Sequence, residues 1–194
     1  QVKLEILQAT IERLTDAGWL YIGMDHFARP DDELALAQRN GTLYRNFQGY
    51  STHADCDLLG IGVTSIGKVG ATYSQNRREL DEYYADIDAG RLAVFRGIEL
   101  TRDDEIRRDV ITRLICHFKL DFAEVERAWG LDFHDYFGRD LAKLEGMQAD
   151  GLLEIDSSRI RVHPKGRLLI RNIFMPSDAD MEATQRQHGF LKVI

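Results

Sequence analysis

The chain has 194 residues, 44% hydrophobic and 29% charged, a globular balance that excludes a disordered or fibrous protein. Lys and Arg number 25 against 32 Asp and Glu, so the formal charge is −7, which argues against a generally basic nucleic-acid binder. Two cysteines, Cys56 and Cys116, are too few for a disulfide framework, a four-cysteine zinc site or an all-cysteine iron–sulfur site. No apolar run approaches the roughly 20 residues that span a bilayer, and no signal segment follows Gln1. A soluble, cytoplasmic protein with neither nucleic acid nor membrane as partner is the expectation, and the start at Gln1 reads as a chain cut from a longer protein.

Residues 3–17 read as an amphipathic helix, because Leu4, Leu7, Ile11 and Leu14 recur at helical spacing and Gly18 ends the pattern. Trp19 to Met24 is a short apolar run expected as a buried strand, so helix and strand together suggest half of a βαβ unit. Asp31, Asp32 and Glu33 open a second helix that runs to about Asn40-Gly41. Leu58 to Val63 is expected as another buried strand between glycine-rich loops, and residues 76–89 as a polar helix closing at Gly90. The pattern changes near residue 97. Thr101 caps a helix with the apolar stripe Ile106, Val110, Ile111, Leu114 and Ile115. Helices at 122–129 and 133–149, strands at 152–155 and 159–162, and a helix from Pro164 to about residue 174 follow. Three helices and a small hairpin are the winged-helix order. The expected domains are therefore 1–96, 97–175 and a polar tail, 176–194.

The candidate chemistry is sparse. Asp25 and His26 follow the first strand and suit either acid–base work or polar support. His53, Asp55, Cys56 and Asp57 cluster, but their spacing does not match a usual zinc pattern, and turn capping is the simpler reading. Cys116-His117 reads as a core thiol beside a helix-end histidine. Gly60 to Gly67 is glycine-rich but carries neither a dinucleotide fingerprint nor a phosphate-loop signature. Its place at a strand end still lets a ligand approach the backbone at Gly62 to Ile66. Arg159, Arg161, Lys165, Arg167 and Arg171 form an acid-free basic stretch, although residues 98–175 hold 13 basic and 15 acidic residues, a net of −2. Packing, or a basic face for a carboxylate-bearing ligand, fits that balance better than DNA binding.

Several runs then resemble the oxygen-independent coproporphyrinogen III oxidase (dehydrogenase) family of radical S-adenosylmethionine enzymes. They are Gly23-Met-Asp-His-Phe-Ala-Arg-Pro-Asp-Asp-Glu-Leu-Ala35, Asn46-Phe-Gln-Gly-Tyr50, Asp57-Leu-Leu-Gly-Ile-Gly-Val63, Leu100-Thr-Arg-Asp-Asp104 and Gly166-Arg-Leu-Leu-Ile-Arg-Asn172. The haem chaperones, a related branch, share Phe27-Ala28-Arg29-Pro30 without the acidic continuation or the Phe-Gln-Gly-Tyr run; they and a winged-helix DNA-binding regulator are the alternative readings. The resemblance implies the fold of a partial radical-SAM TIM-type α/β barrel, its last βα elements, followed by a mostly helical, winged-helix-like domain. It implies a [4Fe–4S] cluster held by a Cys-x-x-x-Cys-x-x-Cys motif, S-adenosylmethionine, and oxidative decarboxylation of two propionates of coproporphyrinogen III to vinyl groups through a 5′-deoxyadenosyl radical. The electron donor is left open. This chain lacks the cysteine motif, so it would bind no cluster, would carry no catalytic residue and would be inactive alone. By motif, the resemblance assigns Phe47, Gln48 and Ile66 to cofactor contact: Phe47 packing beside it, Gln48 hydrogen-bonding it and Ile66 approaching its nucleoside.

Overall fold

The computed structural model describes residues 2–54 and 56–174. The chain forms two compact units, Gln1–Ala54 with Arg107–Ile194, and Asp55–Ile106. The contacts thus divide the chain after Ala54 and Ile106. Helices and sheets are mixed. Every strand pair among the described residues is antiparallel, and they form no closed barrel.

In the first unit, helix α1 (Val2–Asp16) half-buries Leu7, Ile11 and Leu14. Gly18, with φ +87°, ends it, and the Trp19 N–H returns to the Leu14 carbonyl at 2.9 Å. Strand β1 (Leu20–Gly23) does not enter a parallel sheet. It pairs antiparallel with β2 (His26–Ala28), which corrects the expected half of a βαβ unit. The reason is local: Met24, with φ +56°, and Asp25 turn the chain back at once, whereas a parallel neighbour needs a long crossover. Helix α2 (Glu33–Asn40) is capped by Asp32, whose carboxylate accepts the Leu34 N–H at 2.9 Å. Strands β3 (Tyr44–Arg45) and β4 (Tyr50–Ser51) make a second hairpin.

Helix α4 (Arg102–His117) carries the chain from the second unit into the first. Thr101 and Asp104 cap it reciprocally: the Thr101 N–H donates to Asp104 Oδ2 at 2.8 Å and the Asp104 N–H to Thr101 Oγ1 at 3.3 Å. Ile106, Val110, Leu114 and Ile115 are buried, and Ile111 is half-buried. Strand β8 (Lys119–Asp121), helices α5 (Phe122–Trp129) and α6 (Phe133–Ala149), and strands β9 (Leu153–Ile155) and β10 (Arg159–Val162) follow. The sheet order is β8-β10-β9. Its inner face, Leu120, Leu153, Ile160 and Val162, meets Leu114, Phe133 and Phe137 among the residues of one buried core. The expected final helix is two short ones, α7 (Pro164–Arg167) and α8 (Ile170–Phe174). The Leu169 N–H closes a tight turn on the Gly166 carbonyl at 2.9 Å, which interrupts the helical ladder.

In the second unit, Leu58 to Val63 is not the expected buried strand. Leu59 and Ile61 are 75% and 86% exposed, and only Leu58 bridges, to Lys68. The strands are β5 (Ile66–Val69), β6 (Thr72–Asn76) and β7 (Val94–Glu99), in that order, with α3 (Leu80–Asp88) between the last two. Gly60 and Gly67 explain the displacement. A Cβ on Gly60 would meet the Ile66 backbone at 3.0 Å and one on Gly67 the Leu58 carbonyl at 3.0 Å, so these glycines let a loop cross β5 instead of running beside it.

Asp86 on α3 ties this unit together. Its carboxylate accepts from Arg91 Nη2 at 2.6 Å and from Arg77 Nε at 3.0 Å. Those two guanidiniums hold its carboxyl below the ordinary value of 3.8. A depressed folded value means the stabilisation is complete above 3.8 and is lost as pH falls through the lower folded value. Acid titration followed by circular dichroism should show this loss, and Asp86→Asn should both lower the melting temperature at neutral pH and flatten the acid limb.

Candidate functional site

The β3–β4 hairpin presents two of the three residues singled out by motif. The Asn46 N–H donates to the Gly49 carbonyl at 3.0 Å, and Asn46 Oδ1 accepts from the Gln48 N–H at 2.8 Å and the Gly49 N–H at 3.1 Å. One asparagine side chain thus fixes the turn and leaves Phe47 and Gln48 at its tip. The Phe47 side chain is 56% exposed and Gln48 is exposed beside it. Gly49, φ +153°, lies against His26: a Cβ there would meet Nε2 at 3.1 Å. Ile66 belongs to the second unit, half-buried on β5.

Behind the turn lies a buried polar layer. The ring of Tyr50 meets His26 edge-on at 5.1 Å, and its hydroxyl donates to the Ile115 carbonyl at 3.2 Å. The Arg45 guanidinium sits 4.7 Å above the same ring. Burial pushes the Tyr50 phenol well up and that of Tyr21 to about 12. His26 Nδ1 lies 2.8 Å from Asp25 Oδ1, with Asp25 mostly in water. Gln38 donates through Nε2 to the Ile22 carbonyl at 2.7 Å and to the Cys116 carbonyl at 2.9 Å, joining β1 to α4. These groups serve packing and hydrogen bonding. Arg45 and Gln38 carry no motif, and only their three-dimensional neighbours reveal them; Tyr50 closes the Asn46-to-Tyr50 run.

The basic stretch does not share one face. Arg159 and Arg161 project from the exposed side of β10, and Lys165 and Arg171 are exposed on α7 and α8. Arg167 turns inward, 4.6 Å above the Phe118 ring, and burial lowers its affinity for the proton. Arg159 and Arg161 join Arg39, Arg113 and Lys119 around a cleft of about 550 Å³ in the first unit. Sequence reasoning missed this cleft, since Arg39 and Lys119 stand in separate elements.

Among the described residues no group of three His, Cys, Asp or Glu side chains is placed to hold a metal. Asp55 lies outside the described residues. Asp57 caps a turn, accepting the Gly70 N–H at 2.9 Å. Cys56 is exposed, whereas Cys116 is fully buried and burial lifts its thiol to about 12. A thiolate ligand there would be costly, and two cysteines cannot supply three sulfurs, so these residues do not fit a [4Fe–4S] cluster. Ellman's reagent should therefore titrate one thiol in the native chain and a second only in denaturant; Cys56→Ser should abolish the native signal. No helix among the described residues is long and apolar enough to cross a membrane.

Residues 100–169 match the HemN C-terminal domain family. Along its whole length the chain is similar to oxygen-independent coproporphyrinogen III oxidases. It is 55% identical to that of Escherichia coli (strain K12) over 194 residues, all of this chain and 42% of that protein. It is 50% identical to the Pseudomonas aeruginosa oxidase over 99% of this chain and 42% of the relative. The Helicobacter pylori (strain 26695) oxidase is 40% identical over 95% of this chain and 40% of its own length. A solved structure described as coproporphyrinogen III oxidase (HemN) from Escherichia coli, a radical SAM enzyme, superposes with a TM-score of 0.87 at 57% identity, covering 92% of this chain and 41% of that one. The chain thus spans about two fifths of the curated relatives it matches, and the resemblance drawn from its motifs holds from end to end.

Proposed function

We propose that this chain works as part of an oxygen-independent coproporphyrinogen III oxidase, a radical S-adenosylmethionine enzyme that converts two propionates of coproporphyrinogen III to vinyl groups. The observation that carries the reading is 55% identity sustained over all 194 residues to an oxidase of that name. The cluster and S-adenosylmethionine supply the radical chemistry when bound in the whole enzyme, and the cluster's ligands lie outside this sequence. This chain's own residues provide a wall. Phe47, held out on a turn that Asn46 fixes, would pack beside the cofactor, and the Gln48 amide would hydrogen-bond it. Ile66 is assigned to the nucleoside by the resemblance alone.

The finer architecture belongs to the same proposal. The order α4-β8-α5-α6-β9-β10, with β10 central, supports a winged-helix-like domain over 97–175. Residues 1–96 are read as the last elements of a radical-SAM barrel. The tail, 176–194, lies outside the described residues.

The test is a chimera in which this chain replaces the matching part of the Escherichia coli oxidase. It should convert coproporphyrinogen III anaerobically and bind S-adenosylmethionine in equilibrium dialysis. Phe47→Ala and Gln48→Ala in that chimera should each weaken S-adenosylmethionine binding by about tenfold, the size of one lost stacking or hydrogen-bonding contact. A folded chimera with its cluster intact but no turnover overturns the reading. Normal binding by both variants overturns the two residue assignments.

A further inference from the structure

The cleft of about 550 Å³ on the first unit has the size of a small-ligand site and an unbalanced set of charges. One wall is the exposed face of β8 and β10. There Lys119 and Arg161 stand directly opposite each other in the antiparallel register, both exposed, while the next pair, Leu120 and Ile160, is buried. Two like charges opposite each other on a sheet repel. Neither forms an ion pair with a described residue, although Glu154 on β9 stands opposite Arg161 on the other side of β10. The other wall brings Arg39, whose Nη2 donates to the Pro30 carbonyl at 2.6 Å, which orients the guanidinium without neutralising it.

The acids of the cleft are already engaged. Asp109 accepts from Arg113 Nε and from Trp129 Nε1, each at 2.9 Å. Glu124 accepts from Arg113 Nη1 at 2.6 Å, and Asp121 caps α5 through the Ala123 N–H at 3.1 Å. Arg159 lies 3.7 Å from Asp156. Five cations against three carboxylates leave the lining net positive, and Lys119, Arg161 and Arg39 form no ion pair among the described residues. His117 on the same rim adds no charge, because burial, with Lys119 and Arg113 nearby, disfavours its protonated form.

We propose that this cleft binds a small polyanion, a molecule bearing two or more carboxylate or phosphate groups. One group bridges Lys119 and Arg161 and relieves their repulsion, and a second reaches Arg39. Concavity and the carboxylates of Asp121 and Glu124 at the lining favour a compact ligand over the continuous phosphate chain of a duplex. The site is independent of the cofactor wall proposed above, so its failure leaves that reading untouched.

Isothermal titration of the 194-residue chain with citrate, with pyrophosphate and with a random DNA duplex tests it. One-to-one binding of citrate or pyrophosphate is expected, and which of them binds tells carboxylate from phosphate. Lys119→Gln and Arg161→Gln should each weaken binding about tenfold, as loss of one charge-assisted contact does, while Arg139→Gln on α6 leaves it unchanged. Lys119→Glu supplies a built-in anion opposite Arg161: it should abolish binding and raise the melting temperature, which shows that loss of binding is not loss of fold. No binding of either small anion, binding indifferent to Lys119 and Arg161, or tight duplex binding through those residues overturns the proposal.

Discussion

Gly166→Ala is expected to destabilise the first unit severely. Gly166 is buried in the first turn of α7, and a Cβ there would fall on the Leu152 carbonyl oxygen, 2.9 Å from its carbon and 3.1 Å from Val162 Cγ1. A flexible side chain could move aside, but this neighbour is backbone. It is also fixed, since the Leu152 carbonyl accepts the His163 N–H at 2.9 Å, the bond that docks α7 beside β9. Relief would break that bond and pull β9 from β10. The cost should be about 3–5 kcal/mol, above ordinary overpacking, and about 10 °C in melting temperature for a chain of this length. Gly146→Ala is the control. It lies in the interior of α6 with nothing within 4 Å of a new Cβ, so it should stabilise by about 0.5–1 kcal/mol. Thermal unfolding of both variants checks the pair, and a Gly166→Ala chain that melts with the parent contradicts the close approach.

The helices were legible because their signals are local. Asp32, Thr101 and Asp132 each cap a helix with a side-chain oxygen, and the stripe from Ile106 to Ile115 lies on the core. The sheets were less legible. β1 shows as an apolar run, but its partner β2 is three residues long, too short to carry a pattern that would announce a hairpin. β7 escaped because it is exposed on both faces and carries no alternation. Leu58 to Val63 misled in the opposite sense. An apolar run beside glycines reads as a buried strand, yet here the glycines permit a loop to pass close to β5, with Asn76 Nδ2 donating to the Gly60 and Gly62 carbonyls at 3.0 and 2.9 Å.

The site divides the same way. Phe47 and Gln48 were named from a motif, and their presentation on a turn follows from Asn46, within the same five residues. The cationic cleft could not be read from the chain. Arg39, Lys119 and Arg161 are separated by helices and strands, and they converge through the register that sets Lys119 against Arg161. The linear basic stretch overstated the effect, because Arg167 spends its charge on the Phe118 ring inside the unit.

Phe133→Ala should cost about 3–5 kcal/mol, the range for removing a fully buried aromatic ring. Phe133 is 1% exposed at the start of α6, stacked on Phe122 with centroids 4.1 Å apart and planes 8° from parallel, and 4.8 Å from Phe137. Its removal opens a void between α5 and α6 that neither helix can close. α6 is pinned there by the Asp132 carboxylate on the Asp135 N–H at 2.9 Å and by Glu126 Oε1 on the Phe133 N–H at 3.0 Å. Collapse would have to break those bonds, so the cavity persists and the cost stays near the upper end. Phe133→Leu keeps most of the volume and should cost about half as much, losing chiefly the ring pairing, worth about 0.5–1.5 kcal/mol. Urea unfolding should move the midpoint down in that order with the slope unchanged, since the surface exposed on unfolding is nearly the same. Equal losses for the two variants would mean that ring stacking, not cavity volume, holds α5 to α6.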